Sequence, residues 1–204
     1  VAQSSVAGEE DNEIAKLFDS DDKDIWHTKY GQKAIPFNIV MDLKTINQLD
    51  KFEYLPRISG RNGIITKGSV EYSLDKNKWT SAGTFDWKTD NTIKTFDFTN
   101  HPSVRYIKIN VEQGAGNYGS GRELYVFKVP GTESYLPGDI NNDHKIDNND
   151  LTSYMNYTGL RKGDADFEGY ISKGDINKNG LIDAYDISVV ATQLEGGVQN
   201  VDST

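Results

Sequence analysis

Asp139, Asn141, Asp143, Asp147 and Asp150 put oxygen-bearing side chains at positions 1, 3, 5, 9 and 12 of one stretch, GDINNDHKIDNND. The stretch GDINKNGLIDAYD repeats the pattern 36 residues later with Asp175, Asn177, Asn179, Asp183 and Asp186. Like charges packed this densely repel, so the pattern asks for a positive partner. A hard cation such as Ca²⁺ takes about six to eight oxygens, and a twelve-residue loop supplies them from alternate side chains plus the backbone carbonyl of position 7. That carbonyl belongs to Lys145 in the first loop and Leu181 in the second. Two loops imply two calcium ions. Ile146 and Ile182 share position 8, where paired loops are expected to meet in a short strand contact. Position 6 needs a left-handed backbone, which suits Gly180 better than His144 and predicts weaker binding in the first loop. Position 12 is Asp rather than Glu, which shortens the reach. The competing account is a pair of solvated Asp/Asn turns; recurrence in register, each time ahead of a helix-compatible segment, weighs against it.

The elements that must position these loops differ from the rest of the chain. Residues 35–130 alternate in short runs, among them 70–74, 93–98, 104–109 and 124–129, punctuated by Gly, Asn and Asp. Such spacing, with hardly any helical periodicity, predicts an antiparallel β-sandwich. After Pro130 the apolar residues move to helical spacing: Leu151, Tyr154 and Met155, then Ile187, Val190, Ala191 and Leu194. Each helix begins as its acidic loop ends, and the chain is expected to fray after Glu195. The expected organisation is a β-domain over 1–130, a link over 131–137, a small helical module over 138–196 and a tail over 197–204.

Charge follows the same division. Of the net −9, residues 1–136 contribute 17 basic against 19 acidic side chains, and residues 137–204 contribute 5 against 12. An acidic balance argues against nucleic acid and anionic membrane as partners and for cations. No run approaches the roughly 18 apolar residues of a membrane span. There is no cysteine, so disulfides and thiolate metal sites are excluded. The start at Val1, without Met or signal peptide, reads as a processed or excised chain.

A further acidic segment, Gly163 to Ser172, places Asp164, Asp166 and Glu168 at positions 1, 3 and 5 of another count whose position 12 is Asp175. An extra cation site sharing Asp175 and an acidic surface linker are both consistent with it.

The paired loops resemble a type I dockerin over Gly138 to about Glu195. The resemblance implies F-hand loops, each loop then helix, and a docking role toward a cohesin-like protein partner, read by helix faces and loop positions 10 and 11. Those positions are Asn148-Asn149 and Ala184-Tyr185, without the Ser-Thr pair of cellulosomal dockerins. The mismatch argues against a cellulosomal partner, and the difference between copies argues against a symmetric dual mode.

The β-domain is similar to a family 32 carbohydrate-binding module, of the F5/8 type C or discoidin fold. The resemblance rests on Leu17 to Tyr30, Val40-Met41-Asp42-Leu43, Tyr54-Leu55-Pro56-Arg57 with Arg61-Asn62-Gly63, Tyr72 to Asp75 with Trp79, Val104 to Ile107, and Arg122 to Val126. It implies an eight-stranded antiparallel jelly roll. It also implies a structural calcium held by Asp21, Asp24 and Glu123, with carbonyls such as that of Phe18. Ser20 and Asp24 depart from the family pattern there. Asp19, Asp21, Asp22 and Asp24 crowd one turn, which a cation or plain solvation would accommodate. The family's sugar site lies on loops at one end of the sandwich. A sugar needs hydrogen-bonders for its hydroxyls and an aromatic ring for its C–H face. His27, Arg57 and Asn62 supply the first, and Tyr30 and Tyr118 the second. Packing beside Trp26, a cross-strand ion pair at Arg57 and a stray exposed ring at Tyr118 are the plainer accounts. Trp26, Trp79 and Trp87 are expected in the core.

No catalytic constellation emerges: there are three histidines and no Gly-x-Ser-x-Gly elbow or phosphate-binding glycine loop. The two resemblances imply the non-catalytic C-terminal part of a secreted, periplasmic or cell-surface bacterial glycoside hydrolase, chitobiase- or hexosaminidase-like. Its β-domain would bind galactose or N-acetylhexosamine glycans. A protein- or surface-adhesion module and a small hydrolase are the other classes.

Overall fold

Residues 2–8, 13–132, 134–143 and 145–198 are described by the computed structural model, the last four through their backbone alone. The chain forms two units, Val1–Glu133 and Ser134–Thr204. Alternation becomes strand throughout the first: β1 (Ala2–Ser4), β2 (Trp26–His27), β3 (Phe37–Leu55), β4 (Ile65–Ser73), β5 (Thr80–Asp86), β6 (Lys94–Asp97), β7 (Ser103–Gly114), β8 (Ser120–Gly121) and β9 (Glu123–Lys128). All these strands pair antiparallel. Against the expected eight, β1, β2 and β8 are only two or three residues long and β3 is counted once although it serves both layers.

One layer runs β1-β3-β7-β4-β5. From Lys51 to Tyr54 the same β3 lies between β6 and β9. The pairing with β7 slips register between Asp42 and Asn47, where Lys44 takes a φ of 71°, and the change of layer follows Gln48, from which β3 passes to β9 at Leu49. Inward positions of both layers meet in the core. Ile39, Met41, Val70, Ile107 and Ile109 come from the first layer, and Phe52, Tyr54, Phe96 and Leu124 from the second. Full burial contributes about 1.5–3 kcal/mol for each large apolar side chain, so this cluster dominates the stability of the unit. Trp26 is fully buried against the edge of Phe37, and Trp87 stacks on Phe85. Trp79 departs from expectation. It precedes β5 beneath the Lys108 ammonium, which stands 4.2 Å from its ring and pairs with Glu71 at 2.7 Å.

Among the described residues the second unit has two α-helices, α1 (Asn148–Tyr157) and α2 (Ala184–Val198). Its core is Ile140, Tyr154, Phe167, Ile182 and Val190. The acidic loops themselves start the helices. The Asp147 carboxylate accepts the Asn149 N–H at 2.7 Å, while Asp150 accepts the Asp147 N–H at 2.9 Å, a reciprocal cap. Three expectations are corrected. Ile182 does not pair with Ile146: its N–H donates to the Leu160 carbonyl and its carbonyl accepts from Gly159. The segment after α1 thus takes the edge of the second loop, and Ile146 packs its side chain on the core instead. Met155 is 77% exposed, because it lies about a quarter turn round α1 from the buried Tyr154 and off the core-facing side. And α2 runs to Val198, past Glu195; the rest of the tail, 199–204, and the His144 position lie outside the described residues. Among the described residues no helix is long and apolar enough to cross a membrane.

Candidate functional site: one end of the sandwich and two acidic loops

Three chain segments converge at one end of the sandwich, and backbone hydrogen bonds lace them together. β2 pairs with β8, His27 facing Ser120. The Thr28 N–H donates to the Gly119 carbonyl at 2.8 Å and the Ser120 N–H to Gly63 at 2.7 Å. Gly63 in turn donates to Ala115 at 2.8 Å. Beneath them the buried Tyr54 hydroxyl donates to the Ser120 carbonyl and accepts the Ile65 N–H. Burial pushes its phenol well above the usual range, so it stays a neutral donor.

The five candidate sugar-binding side chains all arrive here. Tyr30 stacks on His27, ring centres 4.2 Å apart at 19°. Tyr118 closes the group at 5.4 Å from His27 and 5.3 Å from Tyr30. Tyr118 is fixed by the Gly31 N–H, which donates to its hydroxyl at 3.2 Å. His27 is 1% exposed. Its Nδ1 faces the Thr28 carbonyl, an acceptor only, so Nδ1 carries the proton and Nε2 accepts from Asn62 Nδ2 at 3.3 Å. Asn62 also lies 3.4 Å from the Tyr30 hydroxyl. Arg57 donates from Nε to the Ser59 carbonyl at 2.7 Å and from Nη1 to the Asn62 carbonyl at 2.9 Å, so it holds the loop that carries Asn62. Asn91, which sequence reasoning missed, ties that loop from outside by donating to the Arg57 and Gly60 carbonyls. Gly116 closes the wall with a φ of 72°, and a Cβ there would fall 2.2 Å from Asn62 Oδ1. No cross-strand ion pair forms at Arg57 among the described residues.

The acidic turn at 19–24 takes a somewhat different form from that expected. Glu123, at the start of β9, is 1% exposed, and burial pushes its carboxyl up to about 7, helped by a hydrogen bond and the charge of Asp19 and by Asp24. The Asp19 carboxylate also accepts the Asp21 N–H at 2.9 Å. The Asp21 carboxylate turns to the Lys23 N–H at 3.1 Å. Lys16 pairs with Asp24 Oδ2 at 2.9 Å. Asp24 Oδ1 and Glu123 Oε1 are both buried without a hydrogen-bond donor, as is the Trp26 Nε1 donor. Two orphaned carboxylate oxygens suit a cation, since such groups are otherwise costly to bury.

In the second unit the described residues of the two loops share several backbone features. Position 4 is left-handed in both, Asn142 at 60° and Lys178 at 59°, and Gly180 at position 6 has a φ of 85°. The position 1 carboxylate accepts the position 5 N–H, Asp139 from Asp143 at 3.1 Å and Asp175 from Asn179 at 3.0 Å. Asn141 and Asn177, at position 3, accept the same N–H groups. The position 5 side chains of Asp143 and Asn179 accept from Lys145 and Leu181. The position 12 carboxylate accepts from positions 2 and 9: Asp150 from Ile140 and Asp147, Asp186 from Ile176 and Asp183. Asp150 and Asp186 are fully buried, and burial raises the Asp150 carboxyl. Among the described residues no three acidic or imidazole side chains are assembled around one point. The asparagines and the position 7 carbonyls of the pattern complete an oxygen-only donor set, which suits Ca²⁺ rather than a softer metal.

The third acidic segment is not brought together. Asp164 accepts the Arg161 N–H at 2.7 Å, Asp166 and Glu168 are exposed around the buried Phe167, and Asp175 is engaged in its own loop.

Comparison with known proteins follows this division. The F5/8 type C domain model matches residues 1–124 and the dockerin type I domain model residues 137–195. A curated relative, "A type blood N-acetyl-alpha-D-galactosamine deacetylase" of Flavonifractor plautii, is 31% identical over 144 residues, 68% of this chain and 18% of the relative. The chain therefore spans less than a fifth of that relative's length. CpGH89CBM32-5 of Clostridium perfringens, solved with GalNAc-β-1,3-galactose, superposes with a TM-score of 0.58 at 31% identity, covering 62% of this chain and 94% of that one. The family 32 module of NanJ from C. perfringens, solved with galactose, gives 0.58 at 28% identity, with coverages of 62% and 91%. The two domains are of non-catalytic kinds, and dockerin type I domains bind calcium and generally cohesins. The chain belongs to the F5/8 type C family as a family 32 carbohydrate-binding module, joined to a type I dockerin domain.

Proposed function

We propose that the sandwich binds terminal galactose or N-acetylgalactosamine residues of a glycan through His27, Tyr30, Arg57, Asn62 and Tyr118. The observation that carries this is their convergence from three laced segments onto one end of a rigid sandwich. The exposed ring of Tyr30 and the half-buried ring of Tyr118 offer faces for the sugar's C–H surface. Arg57, with N–H groups beyond the two held by its own loop, and Asn62 take the hydroxyls. His27, buried under Tyr30, acts as a positioning residue by fixing Asn62 through Nε2. The ligands of the two C. perfringens modules support this choice of sugar.

In the same reading the dockerin domain takes two calcium ions. The first is held by Asp139, Asn141, Asp143, Lys145, Asp147 and Asp150, the second by Asp175, Asn177, Asn179, Leu181, Asp183 and Asp186. The sandwich takes one more, with the orphaned oxygens of Asp24 and Glu123 among its ligands and Asp21 or Asp19 beside them. The whole is the targeting part of a secreted bacterial enzyme acting on glycans. Its sandwich holds the enzyme on substrate and its dockerin domain docks a cohesin-like protein, so weak single-site affinity is raised by multivalency.

A glycan array in calcium, comparing the chain with Arg57→Ala, tests the sugar site. Binding to terminal galactose or N-acetylgalactosamine, lowered at least tenfold in the variant, is expected. Absence of binding to any glycan, or binding that survives Arg57→Ala, overturns it.

A further inference from the structure

A groove borders the cluster on its Tyr118 side, lined by Gly31, Gln32, Lys33, Gly116, Asn117 and Tyr118. Its volume is about 250 Å³, below the roughly 300–1,000 Å³ of pockets that enclose a drug-sized ligand. One sugar ring is the scale of occupant it suits. Its chemistry is also that of a sugar subsite. Gln32 and Asn117 carry amides that both donate and accept, Lys33 donates only, and Tyr118 provides an aromatic wall. Two glycines lower the rim, and at Gly31 a Cβ would meet nothing within 4 Å. Tyr118 belongs to both places: it packs beside His27 and Tyr30 and lines the groove, with its hydroxyl held by the Gly31 N–H. Gly116 links them a second time, lying against Asn62 on one side and in the groove wall on the other.

We propose that this groove is a second sugar subsite, so that the module reads a disaccharide terminus rather than a single residue. The inference rests on the sugar site proposed above. The terminal ring sits on Tyr30, Arg57 and Asn62, and the ring it is linked to crosses Tyr118 into the groove, where Gln32, Lys33 and Asn117 meet its hydroxyls.

The test is calorimetric titration of the whole chain, in calcium, with the methyl β-glycoside of GalNAc and with GalNAc-β-1,3-galactose. The disaccharide is expected to bind at least tenfold more tightly. Gly31→Asn fills the groove with a residue that tolerates the left-handed φ of 74°, and Gln32→Ala removes one hydrogen-bonder. Each is expected to bring the ratio to within threefold while leaving the monosaccharide affinity unchanged, which also shows that the variant is folded. Arg57→Ala is expected to weaken both ligands. Equal affinities in the unsubstituted chain, or a ratio that survives Gly31→Asn, overturn the second subsite while the first stands. Failure of both ligands to bind overturns the two together.

Discussion

The sugar end of the sandwich and the acidic loops of the dockerin domain carry their polar groups in opposite ways. At the sugar end the side chains engage one another and the backbone beneath them is already hydrogen-bonded across segments far apart in sequence, as between Thr28 and Gly119. In the acidic loops the carboxylates are occupied by N–H groups of their own loop, as at Asp139 and Asp175. Behind the first stand eighteen buried apolar residues in one cluster; behind the second, among the described residues, five. A unit with so small a core needs a staple, commonly a metal. The sandwich is stabilised by burial, whereas the dockerin domain is expected to depend on the ions its loops bind.

The largest effect should come from removing calcium. At a free ion concentration a thousandfold above Kd, each filled loop adds about 4 kcal/mol. Chelator should therefore melt the dockerin domain far below the sandwich, followed by domain-resolved NMR or calorimetry. Equal shifts in both halves would break the comparison.

A smaller effect is expected at Glu123. Its folded carboxyl sits at about 7 against an ordinary 4.5. Between those values the folded chain keeps a proton that the unfolded chain has lost, so stability should fall as pH rises through that window and level off above it. The loss is up to about 3 kcal/mol in chelator. Calcium should offset it, and Glu123→Gln should flatten the profile measured by urea denaturation. A flat profile in the unsubstituted sandwich would place Glu123 in a different environment.

Tyr154 sharpens the contrast within the dockerin domain. It is fully buried, and its hydroxyl donates to the Gly174 carbonyl at 3.0 Å, next to Asp175 of the second loop. Burial, with the acids of both loops nearby, raises its phenol. Tyr154→Phe should cost about 1 kcal/mol, and in a calcium titration it should weaken both loops. Weakening of one loop alone would show that they fill independently. The least effect belongs to Met155→Ser. Its exposure predicts a stability change within about 0.5 kcal/mol by thermal melt, and a larger loss would mean that the side chain is covered.

Local features were legible and contacts between distant segments were not. Each acidic loop spells its oxygen-bearing pattern within twelve residues, and in the first loop its aspartates double as helix caps. The alternating runs at 70–74 and 104–109 read as strands because one face had to be buried. The pairing of Ile182 with Leu160 was not legible, because an edge N–H accepts whichever carbonyl the fold brings alongside. Trp79 and Met155 were misplaced for a related reason: composition marks a side chain as apolar, but only packing decides whether its face is covered.

By itself the sequence determined the β-rich and helical parts of the chain and the oxygen-only composition of the acidic loops, because spacing, charge and alternation are properties of neighbours along the chain. The tertiary structure alone decided that residues 27, 30, 57, 62 and 118 share one surface, that Tyr118 serves a groove as well, and that His27 lies under Tyr30. Those relations are fixed by strand register and loop closure, which bring together residues that no local pattern connects.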